Sequence, residues 1–65
     1  MEFEDLNAGN KFIALNRRGK LNDLAADNQV MMKLDNPTEK YNAVNLQTAE
    51  LVYFKAKAPV QEVVF

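Results

Sequence analysis

Apolar positions along the chain recur mostly at every second residue, and the runs are short. "LVYFKAKA", residues 51–58, sorts with Val52, Phe54, Ala56 and Ala58 on one side and Tyr53, Lys55 and Lys57 on the other. Wound as a helix together with Leu46 and Ala49, the same residues would spread around most of the circumference, so a period of two describes them better. "YNAVNL" puts Val44 and Leu46 on one face and Tyr41 and Ala43 on the other. "QTAE" between the two runs has the length of a hairpin loop. A type I turn over Leu46–Ala49 would place Ala49 in the left-handed region, where glycine is preferred.

The same reading extends in both directions. "KFIALN" predicts a strand buried on both faces at Phe12, Ile13 and Leu15. "VMMKLD" predicts a strand with Val30, Met32 and Leu34 inward and Met31, Lys33 and Asp35 outward, stopping at the turn signal Asn36-Pro37. Pro59 interrupts the pairing before "VQEVVF", where Val60, Val64 and Val63 compete for burial. "NAGN" reads as a turn with Gly9 at positive φ. Only "LNDLAADNQ" has helical character: Asn22 or Asp23 could cap a single turn burying Leu21, Leu24 and Ala25, with an ordered loop as the alternative. The expected fold is mainly β, a small antiparallel β-barrel of about five short strands. Residues 1–65 form one domain, with no repeat, low-complexity tract or linker.

Composition narrows the chemistry. A domain of this length buries only about 60% of its unfolded surface, and its stability is expected to be ~3–5 kcal/mol. The chain has no cysteine and no histidine. Disulfides, thiolate and imidazole zinc sites, and serine or cysteine triads are thereby excluded, and a reducing, cytoplasmic setting is the natural expectation. Eight basic and nine acidic residues give a formal charge of −1, which argues against a protein built for long-range attraction to nucleic acid or anionic membrane. The acidic start "MEFEDLNAGN" lacks the features of a signal peptide, and no run approaches the roughly 18 apolar residues of a membrane span.

Together, "FEDLNAGNKF", "VMMKLD", "YNAVNLQTAELVYF" and "APVQEV" resemble a loose group of short, mostly uncharacterised proteins of bacteriophages and their hosts. The specific part of the likeness is Asn42, Ala43, Val44, Asn45 and Leu46, then Thr48, Glu50 and Leu51; Ala49 stands where the group's pattern has glycine. The resemblance implies an SH3-like small barrel and a phage or prophage setting, and it implies no reaction.

Two groups of residues are candidates for contact with a partner. "NRRGK" places Arg17, Arg18 and Lys20 around Gly19 on a loop leaving the first strand, where guanidinium groups offer paired donors to phosphate or carboxylate. The plainer reading is a solvated turn; the Gly-rich spacing of a phosphate loop is missing. Tyr53, Lys55 and Lys57, with Tyr41 across the hairpin, would form an aromatic and basic strip of the kind that holds peptides or single-stranded nucleic acid. Ordinary cross-strand packing is the alternative. Met31 and Met32 read as core lining with one exposed neighbour. Glu2, Glu4, Asp5, Asp23 and Asp27 lack the spacing of a calcium loop and read as surface. No catalytic, cofactor-binding or metal-ligating set is assigned, and the expectation is not an enzyme. The reading is a non-enzymatic module, phage-encoded by the resemblance, that docks on a host or viral protein. The alternatives are a single-strand-binding barrel, disfavoured by the acidic balance, and a self-associating structural protein using an exposed sheet edge and the apolar end "VVF".

Overall fold

In the computed structural model, which describes residues 1–64, the β-runs become β1 (Lys11–Ala14), β2 (Val30–Lys33), β3 (Ala43–Asn45), β4 (Leu51–Val52) and β5 (Val60–Val63). All neighbours are antiparallel, in the order β4-β3-β2-β1-β5. The register sets Phe12 opposite Met31, Met31 opposite Asn45, and Ala14 opposite Val60. Phe65, which ends the "VVF" run, lies outside the described residues.

The mainly β, five-stranded expectation holds, but the sheet is open: β4 and β5 are its two edges and do not meet as a closed barrel requires. A ribbon formed by the N-terminal residues and the segment before β5 does part of the enclosing instead. Phe3 N–H donates to Ala58 C=O (2.9 Å), Glu4 N–H to Ala56 C=O (3.0 Å) and Val60 N–H to Met1 C=O (3.0 Å). Glu2 bridges Pro59. Pro59 therefore sits just outside β5 on the ribbon, where its missing N–H costs no ladder bond.

The core lies beneath this ribbon. Phe3, Leu6, Phe12, Met31, Ala43 and Val60 are buried, with Ala14, Val52, Phe54 and Ala58 packed against them. Phe12 meets Phe3 and Phe54 edge-on at centroid distances of 5.4 and 5.3 Å, and Phe3 stacks on Phe54 at 5.6 Å. Edge-to-face and offset arrangements are the favoured ones for such rings, so the trio adds to the area it removes from water. Ile13 and Leu15, expected to be buried with Phe12, are only half-buried.

The inward phase of β2 is the reverse of the expectation. Met31 is the buried residue, while Val30, Met32 and Leu34 are half-buried. Lys33 shares the face of Met31, and its Nζ donates to the carbonyls of Leu6 (2.7 Å) and Phe3 (3.2 Å) and lies 4.7 Å from the Phe3 ring centroid. An ammonium group so satisfied can occupy an inward position, which is why alternation by polarity misassigned the strand.

Among the described residues, helical structure is confined to two 3-10 turns, Phe3–Asp5 and Ala25–Asp27. In the first, Asp5 Oδ2 accepts the Glu2 N–H at 2.9 Å. The second follows Leu24 as its cap rather than Asn22 or Asp23, and it buries none of Leu21, Leu24 and Ala25. Leu21 and Leu24 are 45% and 68% exposed. The reason is local: Asn28 closes the loop on itself, accepting the Asn22 N–H at 2.9 Å and donating to the Asn22 C=O at 2.9 Å. The polar closure leaves the leucines outside. In β5, Val60 is buried and Val63 half-buried, and Val64 just after the strand is 84% exposed, which settles the competition for burial there.

Candidate binding surfaces

The basic turn is more ordered than a flexible loop. Asn16 accepts the Gly19 N–H at its C=O (2.9 Å) and donates its N–H to the Lys20 C=O (2.9 Å). Its Oδ1 takes the N–H groups of Arg18 (2.9 Å) and Lys20 (3.2 Å). Gly19 supplies the φ of 74° that closes the turn, a conformation an L side chain rarely adopts. With the backbone bonded inward, Arg17, Arg18 and Lys20 project into solvent. With Asn16, Leu21 and Asp23 they line an open depression of about 390 Å³. Among the described residues no carboxylate pairs with these three cations.

The second group is less continuous than its alternation suggests. Tyr53 is 56% exposed and extends β4 past Val52. Lys55 and Lys57 are exposed, but they stand in a turn in which Ala58 N–H donates to Lys55 C=O at 3.0 Å. Lys57 Nζ approaches Glu4 Oε1 at 3.9 Å with its side chain 80% exposed. Such a pair contributes little. Tyr41 is half-buried.

Asn42 positions the start of this segment. Its Oδ1 accepts the Phe54 N–H (2.9 Å) and its Nδ2 donates to the Phe54 C=O (2.8 Å), so one side chain substitutes for a peptide unit of β3 and carries the pairing beyond Val52. Asn45 does comparable work at the other end of the hairpin. Its Oδ1 takes the N–H groups of Gln47 (2.9 Å) and Thr48 (3.2 Å), and its Nδ2 donates to Gln29 Oε1 (2.6 Å). Asn45 is buried, and these bonds satisfy its amide.

The structure does not bring the two basic groups together. Arg17, Arg18 and Lys20 follow the end of β1 where Ala14 faces Val60, whereas Tyr53 lies beyond Val52, which faces Ala43 and through it Lys33 near the start of β1. They occupy opposite ends of the sheet. The acidic residues gather no site either: among the described residues no group of three carboxylates could hold a metal ion.

A feature that polarity patterning missed lies on the sheet face away from the phenylalanines. Leu51 faces Val44, and Val44 faces Met32, so an apolar row runs inward from the β4 edge. Of these three residues the alternation assigns only Met32 to the inside, because it takes the phase of β2 in reverse, and it gives Leu51 no face.

No family model, curated protein or solved structure matches this chain. Among the described residues, no helix is long and apolar enough to cross a membrane.

Proposed function

We propose that this chain is a non-enzymatic binding module that seats an acidic surface of a protein partner on its Arg17–Lys20 turn. The carrying observation is the presentation of Arg17, Arg18 and Lys20. Three unpaired cations rim one depression on a backbone fixed by Asn16, in a chain whose formal charge is −1. A fixed turn loses less conformational freedom on binding than a mobile one, and guanidinium groups suit carboxylates bidentately. Leu21 beside them adds apolar contact. Tyr53, Lys55 and Lys57 would make a separate, secondary contact at the other end of the sheet.

A protein partner is favoured over nucleic acid because the basic groups are not contiguous. A single strand needs a positive track with interleaved aromatic faces, and here the exposed tyrosine and the arginines are separated by the length of the sheet. The likeness to short phage and prophage proteins extends the reading to a small modulator that occupies a surface of a host or viral protein in the cytoplasm. The test is affinity capture from bacterial lysate with and without nuclease, at low and moderate salt. A protein retained near stoichiometry after nuclease treatment supports the proposal. Retention abolished by nuclease, with a steep salt dependence, would replace it with single-strand binding.

A further inference from the structure

We infer that the ligand of the basic turn is an extended acidic peptide segment carrying a large apolar side chain, which packs on Leu21 and Leu24; this rests on the partner-binding reading above and specifies its ligand. Leu21 lines the same open depression as Arg17, Arg18 and Lys20. Leu24 follows within roughly 11 Å of chain, and Asp23 between the two leucines lines that depression as well. The leucines are 45% and 68% exposed. Each of the two adjoining loops is tied from within by one asparagine. Asn16 Oδ1 holds the N–H groups of Arg18 and Lys20, and Asn28 bonds both the N–H and the C=O of Asn22. Leu24 C=O accepts the Asp27 N–H at 3.0 Å. Cations and leucines therefore stand out on a backbone that binding need not reorganise.

Charge complementarity selects the occupant. Three cations with no carboxylate paired to them among the described residues call for an anionic ligand, and guanidinium groups take carboxylates through paired hydrogen bonds. Asp23 separates a peptide from a polyanion. Its carboxylate, beside the cations, repels the phosphates of a nucleic acid or a lipid surface but accepts a backbone N–H, which an extended peptide offers at every residue except proline. A purely acidic ligand leaves both leucines in water, whereas an apolar side chain set among the acids removes their exposed surface from it. One chemistry uses every group: carboxylates for Arg17, Arg18 and Lys20, a main-chain N–H for Asp23, and an aliphatic or aromatic side chain for Leu21 and Leu24.

Two labelled synthetic peptides of equal charge test this, one of glutamates interspersed with leucines and one with serine at each leucine. Each is followed by fluorescence anisotropy as the full chain is added up to about 1 mM, with amide shifts of the chain recorded in parallel. The leucine peptide is expected to bind about tenfold more tightly, the effect of burying roughly one half-exposed leucine, and to shift amides from Arg17 to Leu24. The double variant Leu21→Ser, Leu24→Ser is expected to keep its thermal transition, since both side chains lie outside the core, and to bind the two peptides equally. The triple alanine variant of Arg17, Arg18 and Lys20 is expected to bind neither. Equal binding of the two peptides by the wild-type chain overturns the inference while leaving the acidic partner of the basic turn in place. A preference for leucine that survives the double variant overturns it as well. Binding of neither peptide also overturns it, and the lysate capture then judges the underlying reading separately. Association with phosphatidylserine vesicles in place of the peptides, abolished by the double variant, would assign the surface to a membrane and overturn it too.

Discussion

Replacing Ala49 with glycine isolates one backbone term in this fold. Ala49 has φ 63°, the only positive value outside glycine among the described residues. It is exposed, so the change removes no buried surface. The turn's bonds come from the backbone and from Asn45: Ala49 N–H donates to Asn45 C=O at 2.7 Å, and Asn45 Oδ1 holds the N–H groups of Gln47 and Thr48. Glycine keeps them all. Relieving the left-handed conformation of an L-residue is worth about 1–2 kcal/mol, while the freer unfolded chain returns about 0.4–1 kcal/mol. The net expectation is a gain of about 1 kcal/mol, or a rise in Tm of about 4–8 °C for a domain of this size. Thermal unfolding by circular dichroism and a urea titration with unchanged slope would measure it. Ala49→Asn should gain less, since asparagine tolerates this region, and Ala49→Val should lose stability. A Tm unchanged or lowered in Ala49→Gly would refute the strained turn.

Three further substitutions probe the supports of the fold. Lys33→Met keeps an apolar stem but leaves the Phe3 and Leu6 carbonyls without their donor, and should cost about 1.5–3 kcal/mol by urea denaturation. Asn42→Ala removes both bonds to the Phe54 backbone and should cost about 1–2 kcal/mol, with amide exchange accelerated at Phe54 and little change at Phe12. Phe12→Ala vacates the centre of the aromatic trio; its cost of about 3–5 kcal/mol matches the whole expected stability, so the variant should lack a cooperative thermal transition.

Much of the architecture was legible in the alternation of apolar and polar residues. The hairpin was readable because Val52 and Phe54 take one phase and Tyr53 the other, and because "QTAE" has loop length; the structure adds the positive φ at Ala49 that the turn type implied. What failed did so where a polar group is satisfied in a position that polarity alone assigns to solvent. Lys33 bonds to carbonyls some thirty residues earlier, and that partner is invisible in its own strand. Asn45 points inward because the turn supplies its donors. The leucines of residues 21–24 were expected inside because leucine normally is, but an asparagine-closed loop holds them out. Phe3 and Leu6 in the acidic opening segment proved to be core, since the ribbon with residues 56–60 carries them over the sheet.

For the candidate contacts, sequence placed the cations of "NRRGK" on a loop but could not show that Asn16 fixes the turn from within. It also could not show that the Tyr53 segment lies at the far end of the sheet, because that separation follows from strand order and register.

Parallel capture from nuclease-treated lysate, using the wild-type chain, the triple alanine variant of Arg17, Arg18 and Lys20, and the corresponding variant of Tyr53, Lys55 and Lys57, tests the binding proposal most directly. It predicts one protein retained by the wild type, lost with the first variant while its thermal transition persists, and only weakened with the second. Undiminished retention by the first variant would contradict it.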